Sequence, residues 1–248
     1  MTKFKTKALV LREYEAGESD KRLLLLCKGK GRILVYARGA RKAKSKFLAV
    51  SQMFTYGDFV LVDGRQFYSL SQAAVIESFY PIRQDYSRLS YAQYIFEICE
   101  KAVPDHTPCD ELLQLVLKTL QHISGQKDTS CKQALCVFLF RFFLYYGLAP
   151  EMACCCLCGA ACDNAALFCD EGLVCQGCLI AKTEGSAAKI RMPLSPAAVK
   201  AIQHILGTDM PQAFMFRTQA AVLDELHKAA QLCWLGHFPI RLKTKIQM

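Results

Sequence analysis

Two C-x-x-C pairs, Cys155-Cys156-Leu157-Cys158 and Cys175-Gln176-Gly177-Cys178, lie 16 residues apart and constrain this chain more than any other feature. Each C-x-x-C turn directs two sulfurs toward one point. Two such turns supply the tetrahedral thiolate set that zinc takes at about 2.3 Å, with no position left open, so the expected centre is structural. Cys154, Cys156, Cys162 and Cys169 lie in the same stretch as substitute ligands. Only 155 with 158 combines the spacing with a following turn glycine, Gly159, so the expected ligands are Cys155, Cys158, Cys175 and Cys178. A redox dithiol would sit at the strand-to-helix junction of a βαβ unit, and neither pair has that setting. The alternative, a run of buried cysteines acting as small apolar residues, accounts less well for the paired spacing.

Eight of the 14 cysteines fall between 153 and 180. The opening Met1-Thr2-Lys3-Phe4-Lys5-Thr6-Lys7 has neither an apolar core nor a small-residue cleavage site, so no export signal is expected. Thr2 stands where myristoylation needs glycine. The cytoplasm is the expected location, where cysteines are thiols or metal ligands. The apolar run from Ala134 to Ala149 carries Arg141 and is 16 residues long, too short for a bilayer span. It is expected to be a buried helix, and no membrane partner is expected.

At 248 residues the chain has room for one large domain or two to three smaller ones, and its composition, 52% apolar and 21% charged, is that of a globular protein. The net charge of +9 is unevenly spread: residues 1–80 hold 15 Lys+Arg against 7 Asp+Glu, whereas 154–180 hold none against 3. A basic N-terminal segment points to a polyanionic partner.

That segment carries strand signals at Ala8–Leu11, Arg22–Cys27, Ile33–Ala37, Asp58–Val62, Gln66–Leu70 and Ala73–Phe79, separated by turn residues such as Gly17-Glu18-Ser19-Asp20, Lys28-Gly29-Lys30-Gly31 and Asp63-Gly64. Five or six short strands without an amphipathic helix among them predict a small closed or partly open β-barrel, and the pattern alone also admits an SH3-like barrel. After Pro81 the period becomes helical. Leu89, Ala92, Phe96, Cys99 and Val103 form one stripe, and Leu113, Val116, Leu117 and Leu120 a second, which Asp110 would cap. A third helix, about 131–146, is apolar on nearly every face and should stop at Gly147. Ser195-Pro196 opens a fourth that Gly207 ends, and Val222, Leu226, Ala229 and Cys233 make the last stripe, which Gly236 closes.

Arg38-Gly39-Ala40-Arg41-Lys42-Ala43-Lys44-Ser45-Lys46 places five cations in nine residues, interrupted only by small residues that let a phosphate chain approach. Each phosphate neutralised adds a counterion-release contribution to affinity. Lys28, Lys30 and Arg32 precede it, and Tyr36, Phe47, Phe54, Tyr56, Phe67 and Tyr68 offer stacking surfaces. Taken one at a time, these aromatics are more simply core residues. The clustered cations are not so readily explained, because their mutual repulsion calls for a polyanion. The expected nucleic-acid contacts are Lys30, Arg32, Arg38, Arg41, Lys42, Lys44 and Lys46.

A set of these stretches resembles the RecO family of bacterial recombination mediators: Thr6–Leu11, Gly17–Leu23, Gly31-Arg32, Arg38–Lys42, Ala73–Phe79 and the two cysteine pairs. The resemblance spans nearly the whole chain. It implies an α+β multidomain protein with an N-terminal OB-fold over 1–80, an α-helical domain over 81–150 and 190–248, and a zinc-binding insertion over 151–182. It also implies binding of single- and double-stranded DNA, annealing of single strands, a nucleoid-associated place in the bacterial cytoplasm, and cooperation with RecR and the single-strand DNA-binding protein so that RecA loads. The metal itself rests on this sequence's own cysteine spacing.

A zinc deaminase would need H-x-E and P-C-x-x-C, yet no histidine here is followed by x-Glu and neither cysteine pair follows proline. Phosphate-binding glycine motifs are also missing, so the expectation is a binding protein and no enzyme. The alternative is a zinc-containing protein-binding adaptor without direct DNA affinity.

Overall fold

The computed structural model describes residues 2–64, 67–125, 128–162, 167–181, 192–244 and 246. The chain divides into two compact units, Met1–Gly125 with Leu242–Met248, and Gln126–Arg241.

The first unit is built on five strands: β1 (Lys3–Ala16), β2 (Asp20–Cys27), β3 (Gly31–Ala37), β4 (Tyr56–Asp63) and β5 (Tyr68–Glu77). They close into a barrel in the order β1-β2-β3-β5-β4. Within the barrel the β3–β5 junction alone is parallel, and it is short, pairing Val35 with Tyr68 and Tyr36 with Ser69. The two strands expected at 66–70 and 73–79 are one strand, β5; Gln66 lies outside the described residues. Leu61 pairs with Leu70 and Val60 with Gln72, so Ser71 is an extra residue in a bulge. A bulge bends a strand without ending it, which is why the polar interruption marks no turn.

Alternation along the strands sends Ala8, Val10, Leu23, Leu25, Ile33, Val35, Phe59 and Leu61 into the barrel core. Leu9, Leu11, Leu24 and Leu26 lie outside that cluster and are nevertheless buried. The helices α2 (Tyr86–Ala102) and α3 (Asp110–Gly125), which follow the short α1 (Tyr80–Arg83), pack on β1 and β2 respectively. Each leucine fully removed from water stabilises by about 1.5–3 kcal/mol. This is why two helices group with the barrel. Asp110, expected as a cap, is the first residue of α3, and its carboxylate accepts the Gly29 backbone N–H at 2.6 Å.

Close approach fixes one glycine here. Gly31 has φ +67°, and a Cβ on it would stand 1.9 Å from the Thr107 carbonyl oxygen. The 105–107 segment therefore lies directly against β3, and His106 donates its backbone N–H to the Arg32 carbonyl at 3.0 Å.

The second unit centres on α4 (Asp128–Tyr145), whose Leu135, Val137, Phe138, Leu139, Phe140, Phe142 and Phe143 are all buried. It packs against α6 (Pro196–Gly207) and α8 (Ala220–His237), with the short α7 (Met210–Ala213) between them in sequence. After α4, Gly147 takes φ +68° and Leu148 donates back to the Phe143 carbonyl at 2.8 Å, the closure expected of a left-handed helix stop. Ser195 caps α6 by accepting the Ala198 N–H at 3.2 Å. Between α4 and α6 stand β6 (Leu167–Cys169), β7 (Gly172–Val174), α5 (Gln176–Ala181) and β8 (Met192–Pro193), and β7-β6-β8 form a small antiparallel sheet. No helix among the described residues is long and apolar enough to cross a membrane.

Candidate nucleic-acid interface and metal centre

Register decides what the outer face of the β2–β3 hairpin presents. Inward Ile33 and Val35 leave Arg32, Leu34 and Tyr36 pointing outward, and these pair with Leu26, Leu24 and Arg22 of β2. An open cleft of about 1210 Å³ runs over this face, lined among others by Arg22, Leu34, Tyr36, Arg38 and Phe67. Phe67 is 59% exposed, as a stacking surface requires. By contrast Phe47 and Phe54 are core residues, and Tyr68 packs edge-on against Phe4 with ring centroids 5.7 Å apart. Arg22 was not among the expected contacts, although alternation within Arg22–Cys27 already places it on the same side as Leu24.

The basic stretch follows β3 in a turn-rich loop that runs on to β4. Ala40, Phe47 and Val50 drop into the barrel core and anchor it, while Arg38, Arg41, Lys42, Lys44 and Lys46 remain exposed. Its first turn is tied to the β1–β2 turn. Asp20 accepts the Gly39 backbone N–H at 2.7 Å and the Tyr36 hydroxyl at 2.6 Å, and Arg41 donates its backbone N–H to the Ser19 carbonyl at 2.9 Å. The Gly39 N–H, then the Tyr36 hydroxyl, hold the Asp20 carboxyl below the usual carboxylate range.

The seven expected cations do not form one patch. Arg38 to Lys46 gather at one end of the β2–β3 hairpin, whereas Lys30 sits in the turn at the other end, a strand length of roughly 20 Å away. The Lys30 ammonium lies 5.3 Å from the Phe4 ring centroid. Arg32 pairs with Asp105 at 2.6 Å and its side chain is only 16% exposed. Arg41 is also engaged, with Glu15 at 3.1 Å and the Gly17 carbonyl at 2.9 Å. Lys46 lies over the Phe47 ring at 4.9 Å, which holds it beside the loop's own anchor.

The cysteine centre belongs to the second unit. The ligand atoms of Cys155, Cys158, Cys175 and Cys178 all lie within 4.8 Å of one another, and this group could hold a metal ion. Gly159 donates to the Cys155 carbonyl at 2.8 Å, closing the first turn; the second pair opens α5, where Leu179 donates to the Cys175 carbonyl at 3.1 Å. Backbone N–H groups also point at sulfur: Cys175 donates to the Cys155 Sγ at 3.3 Å and Cys178 to the Cys175 Sγ at 3.4 Å. Burial pushes the Cys155 thiol up, but N–H donation from Cys175, Leu157 and Cys158 outweighs it and brings the thiol down to about 6. Cys178 is pushed up to about 12, first by its hydrogen bond with Cys158, then by burial and its other sulfur neighbours. A metal takes these sulfurs as thiolates, so its capture by the set is coupled to proton release. The Cys158 and Cys175 sulfurs stand 3.6 Å apart, close to the roughly 3.8 Å between two ligands of a tetrahedral zinc.

Among the described residues histidine supplies no comparable centre. His227 on α8 is buried, and burial, with Lys132 nearby, pushes it down to about 4, so it packs as a neutral ring.

Two family models match in tandem. Residues 1–79 match the recombination protein O N-terminal model and residues 83–246 the recombination protein O C-terminal model. Among curated relatives, the chain is 36% identical over 233 residues to the DNA repair protein RecO of Acetivibrio thermocellus, covering 93% of this chain and 90% of that one. It is 32% identical over 243 residues to the RecO of Bacillus pumilus, covering 97% and 91%, and 31% identical over 235 residues to that of Alkaliphilus metalliredigens, covering 94% and 93%. With both halves matched in order and relatives aligned over nearly their whole length, the chain belongs to the RecO family of DNA repair proteins.

Proposed function

We propose that this protein is a non-enzymatic recombination mediator that binds and anneals single-stranded DNA and helps load the recombinase in recombinational repair. The observation that carries the proposal is the cleft on the β2–β3 face, where an exposed aromatic, Phe67, is joined by Arg22 and by Arg38, the first cation of the basic loop. A closed five-stranded barrel in the order 1-2-3-5-4 supports reading 1–80 as an OB-fold, whose strand 2–3 face is the usual ground for oligonucleotides. On this reading 81–150 and 190–248 supply the helical domain, of which the helices up to Gly125 pack with the barrel, and 151–182 is the zinc-binding insertion, in which Cys155, Cys158, Cys175 and Cys178 hold a structural zinc. Bound there, zinc would cross-link the two cysteine turns and supply no reaction chemistry. RecR, the single-strand DNA-binding protein and, through them, RecA are the proposed protein partners, with duplex DNA as a second nucleic-acid ligand.

Annealing is downhill once two strands meet, so the protein need only offset phosphate repulsion and keep bases unpaired and reachable. Loop cations do the first, in the way that added salt screens charge, and labile stacking does the second. The test mixes complementary oligonucleotides with the protein in chelator and without ATP, and follows duplex formation by fluorescence. Acceleration is expected. A requirement for ATP or a soluble divalent ion would overturn the mechanism, and failure to bind a fluorescent oligonucleotide would favour a protein-binding adaptor instead.

A further inference from the structure

The four-cysteine cluster leaves other thiols of the same region unused. Cys156 and Cys169 face each other with their Sγ atoms 3.8 Å apart. A carboxylate oxygen of Glu171 lies within 4.8 Å of both sulfurs. Backbone bonding places all three. Cys169 pairs with Gly172 across a turn that contains Asp170 and Glu171, so the hairpin itself sets Cys169 beside Glu171. Cys156 donates its N–H to the Leu173 carbonyl at 2.8 Å, which lays it along β7. Glu151 holds the other side of the turn: it donates to the Glu171 carbonyl at 2.8 Å and accepts from Leu173 at 2.9 Å.

The spacing suits metal ligation. Two sulfurs each about 2.3 Å from a tetrahedral ion stand about 3.8 Å apart, whereas a disulfide needs them at about 2.0 Å. Exposure is graded across the set: Cys169 is buried, Cys156 half-buried and Glu171 exposed. A metal held by the three would therefore be closed on the sulfur side and open on the carboxylate side. Two thiolates and one carboxylate reject magnesium and calcium, which want oxygen alone, and suit a thiophilic ion.

We propose that Cys156, Cys169 and Glu171 form a second metal site, separate from the four-cysteine cluster, that takes a thiophilic divalent ion such as Zn²⁺ and leaves its fourth position to water. Adjacent residues, Cys155 and Cys156, then serve different ions, and the second ion ties the 154–158 turn to the β6–β7 hairpin. The site does not depend on the DNA-binding reading. Because it keeps an open position, its ion exchanges more readily than one enclosed by four thiolates.

The experiment is a titration of the reduced, metal-stripped full chain with Co²⁺, read by visible absorption, followed by displacement with Zn²⁺ and metal analysis after gel filtration. Two equivalents are expected, with distinct spectra for the four-sulfur and the two-sulfur, two-oxygen environments, and a mild chelator should remove the second first. Cys169→Ser and Glu171→Gln should each weaken the second equivalent by about tenfold or more and leave the first in place. Cys169 is buried and its replacement can disturb the hairpin, so Glu171→Gln, at an exposed side chain, decides the matter. Saturation at one equivalent in the unaltered protein would overturn the proposal, whether Cys156 and Cys169 stay thiols or join as a disulfide. So would a second equivalent that Glu171→Gln leaves unchanged. Loss of the four-sulfur spectrum alone would count against the first centre and not the second.

Discussion

Asp20 accepts the Gly39 backbone N–H at 2.7 Å, and with the Arg41 N–H bond to the Ser19 carbonyl this joins the β1–β2 turn to the first turn of the basic loop. Two stretches that the sequence keeps apart, Gly17–Leu23 and Arg38–Lys42, thus meet through the Asp20 carboxylate and the Ser19 and Gly17 carbonyls. The same carboxylate holds the Tyr36 hydroxyl beside the cleft.

Replacing Asp20 by Ala should release the start of the loop and the Tyr36 ring together. DNA affinity should fall although no cation is removed, and the salt slope should stay close to that of the unaltered protein. The Asp20 carboxyl is held low in the folded state, so its stabilising contribution is present above the unfolded carboxylate pKa and is lost as pH falls through the lowered one. Oligonucleotide titrations at several salt concentrations check the first point. An affinity equal to that of the unaltered protein would show that the loop keeps its position without the clamp.

Neutralising Arg38, Lys42, Lys44 and Lys46 together should flatten the dependence of single-strand affinity on salt by about 0.7 in log–log slope for each phosphate left without a cation. Phe67→Ala should do the opposite, keeping the slope while costing about 1–3 kcal/mol per stacked base. Arg41 belongs in neither set, because its bonds to Glu15 and Gly17 mix a structural role with any binding of phosphate. Slopes that do not change in the folded loop variant would make the loop an ordinary solvated face.

Cys175→Ser removes one sulfur of the four and an N–H acceptor, the sulfur to which Cys178 donates. Zinc content should fall by one equivalent per chain and thermal stability should drop, while DNA affinity per folded molecule changes little, since residues 154–180 carry three acids and no Lys or Arg. Metal analysis of the reduced protein reads the first result and fluorescence titration the last.

Glu97 anchors the backbone at Lys243 and Thr244. It is 4% exposed, and it accepts the backbone N–H groups of Lys243 at 2.7 Å and Thr244 at 2.8 Å while pairing with Lys101 at 2.6 Å. Burial would raise its pKa, but those donors outweigh burial and hold it at about 2, against 4.5 for a free carboxyl. The folded value is the lower one, so the contribution, about 3 kcal/mol, is full above pH 4.5 and disappears as pH falls through about 2. Glu97→Gln should speed hydrogen exchange at the Lys243 and Thr244 amides by roughly ten- to a hundredfold at neutral pH, the equivalent of about 1–3 kcal/mol. The difference from the unaltered protein should shrink at low pH, and equal exchange at neutral pH would rule out the anchor.

Short-range spacing was enough to read several parts of this protein. The alternation in Ile33–Ala37, the turn glycines and the C-x-x-C pairs each act within a few residues, so strands, turns and a common sulfur cluster could be read directly. The same holds for Ser195-Pro196 and Gly147, where one residue's dihedral preference or side-chain acceptor starts or ends a helix.

What only the tertiary structure decided depends on residues far apart in sequence. Barrel closure rests on two parallel pairs between β3 and β5, and no local pattern marks parallel partners. Leu23-Leu24-Leu25-Leu26 shows that both faces of β2 are covered, but not that a helix beginning at Asp110 provides the cover on one of them. Charge on the sequence likewise says nothing about which group neutralises it. Arg32 and Arg41 read as free cations until Asp105 and Glu15 are found beside them, whereas Arg22 gains its place in the cleft from strand register and Phe67 joins it from just before β5. Cys156 and Cys169, 13 positions apart and in no shared motif, face each other because backbone bonds to Leu173 and Gly172 bring them there. Local chemistry follows from neighbours along the chain, and a site follows from neighbours in space, which hydrophobic burial and long-range hydrogen bonding select.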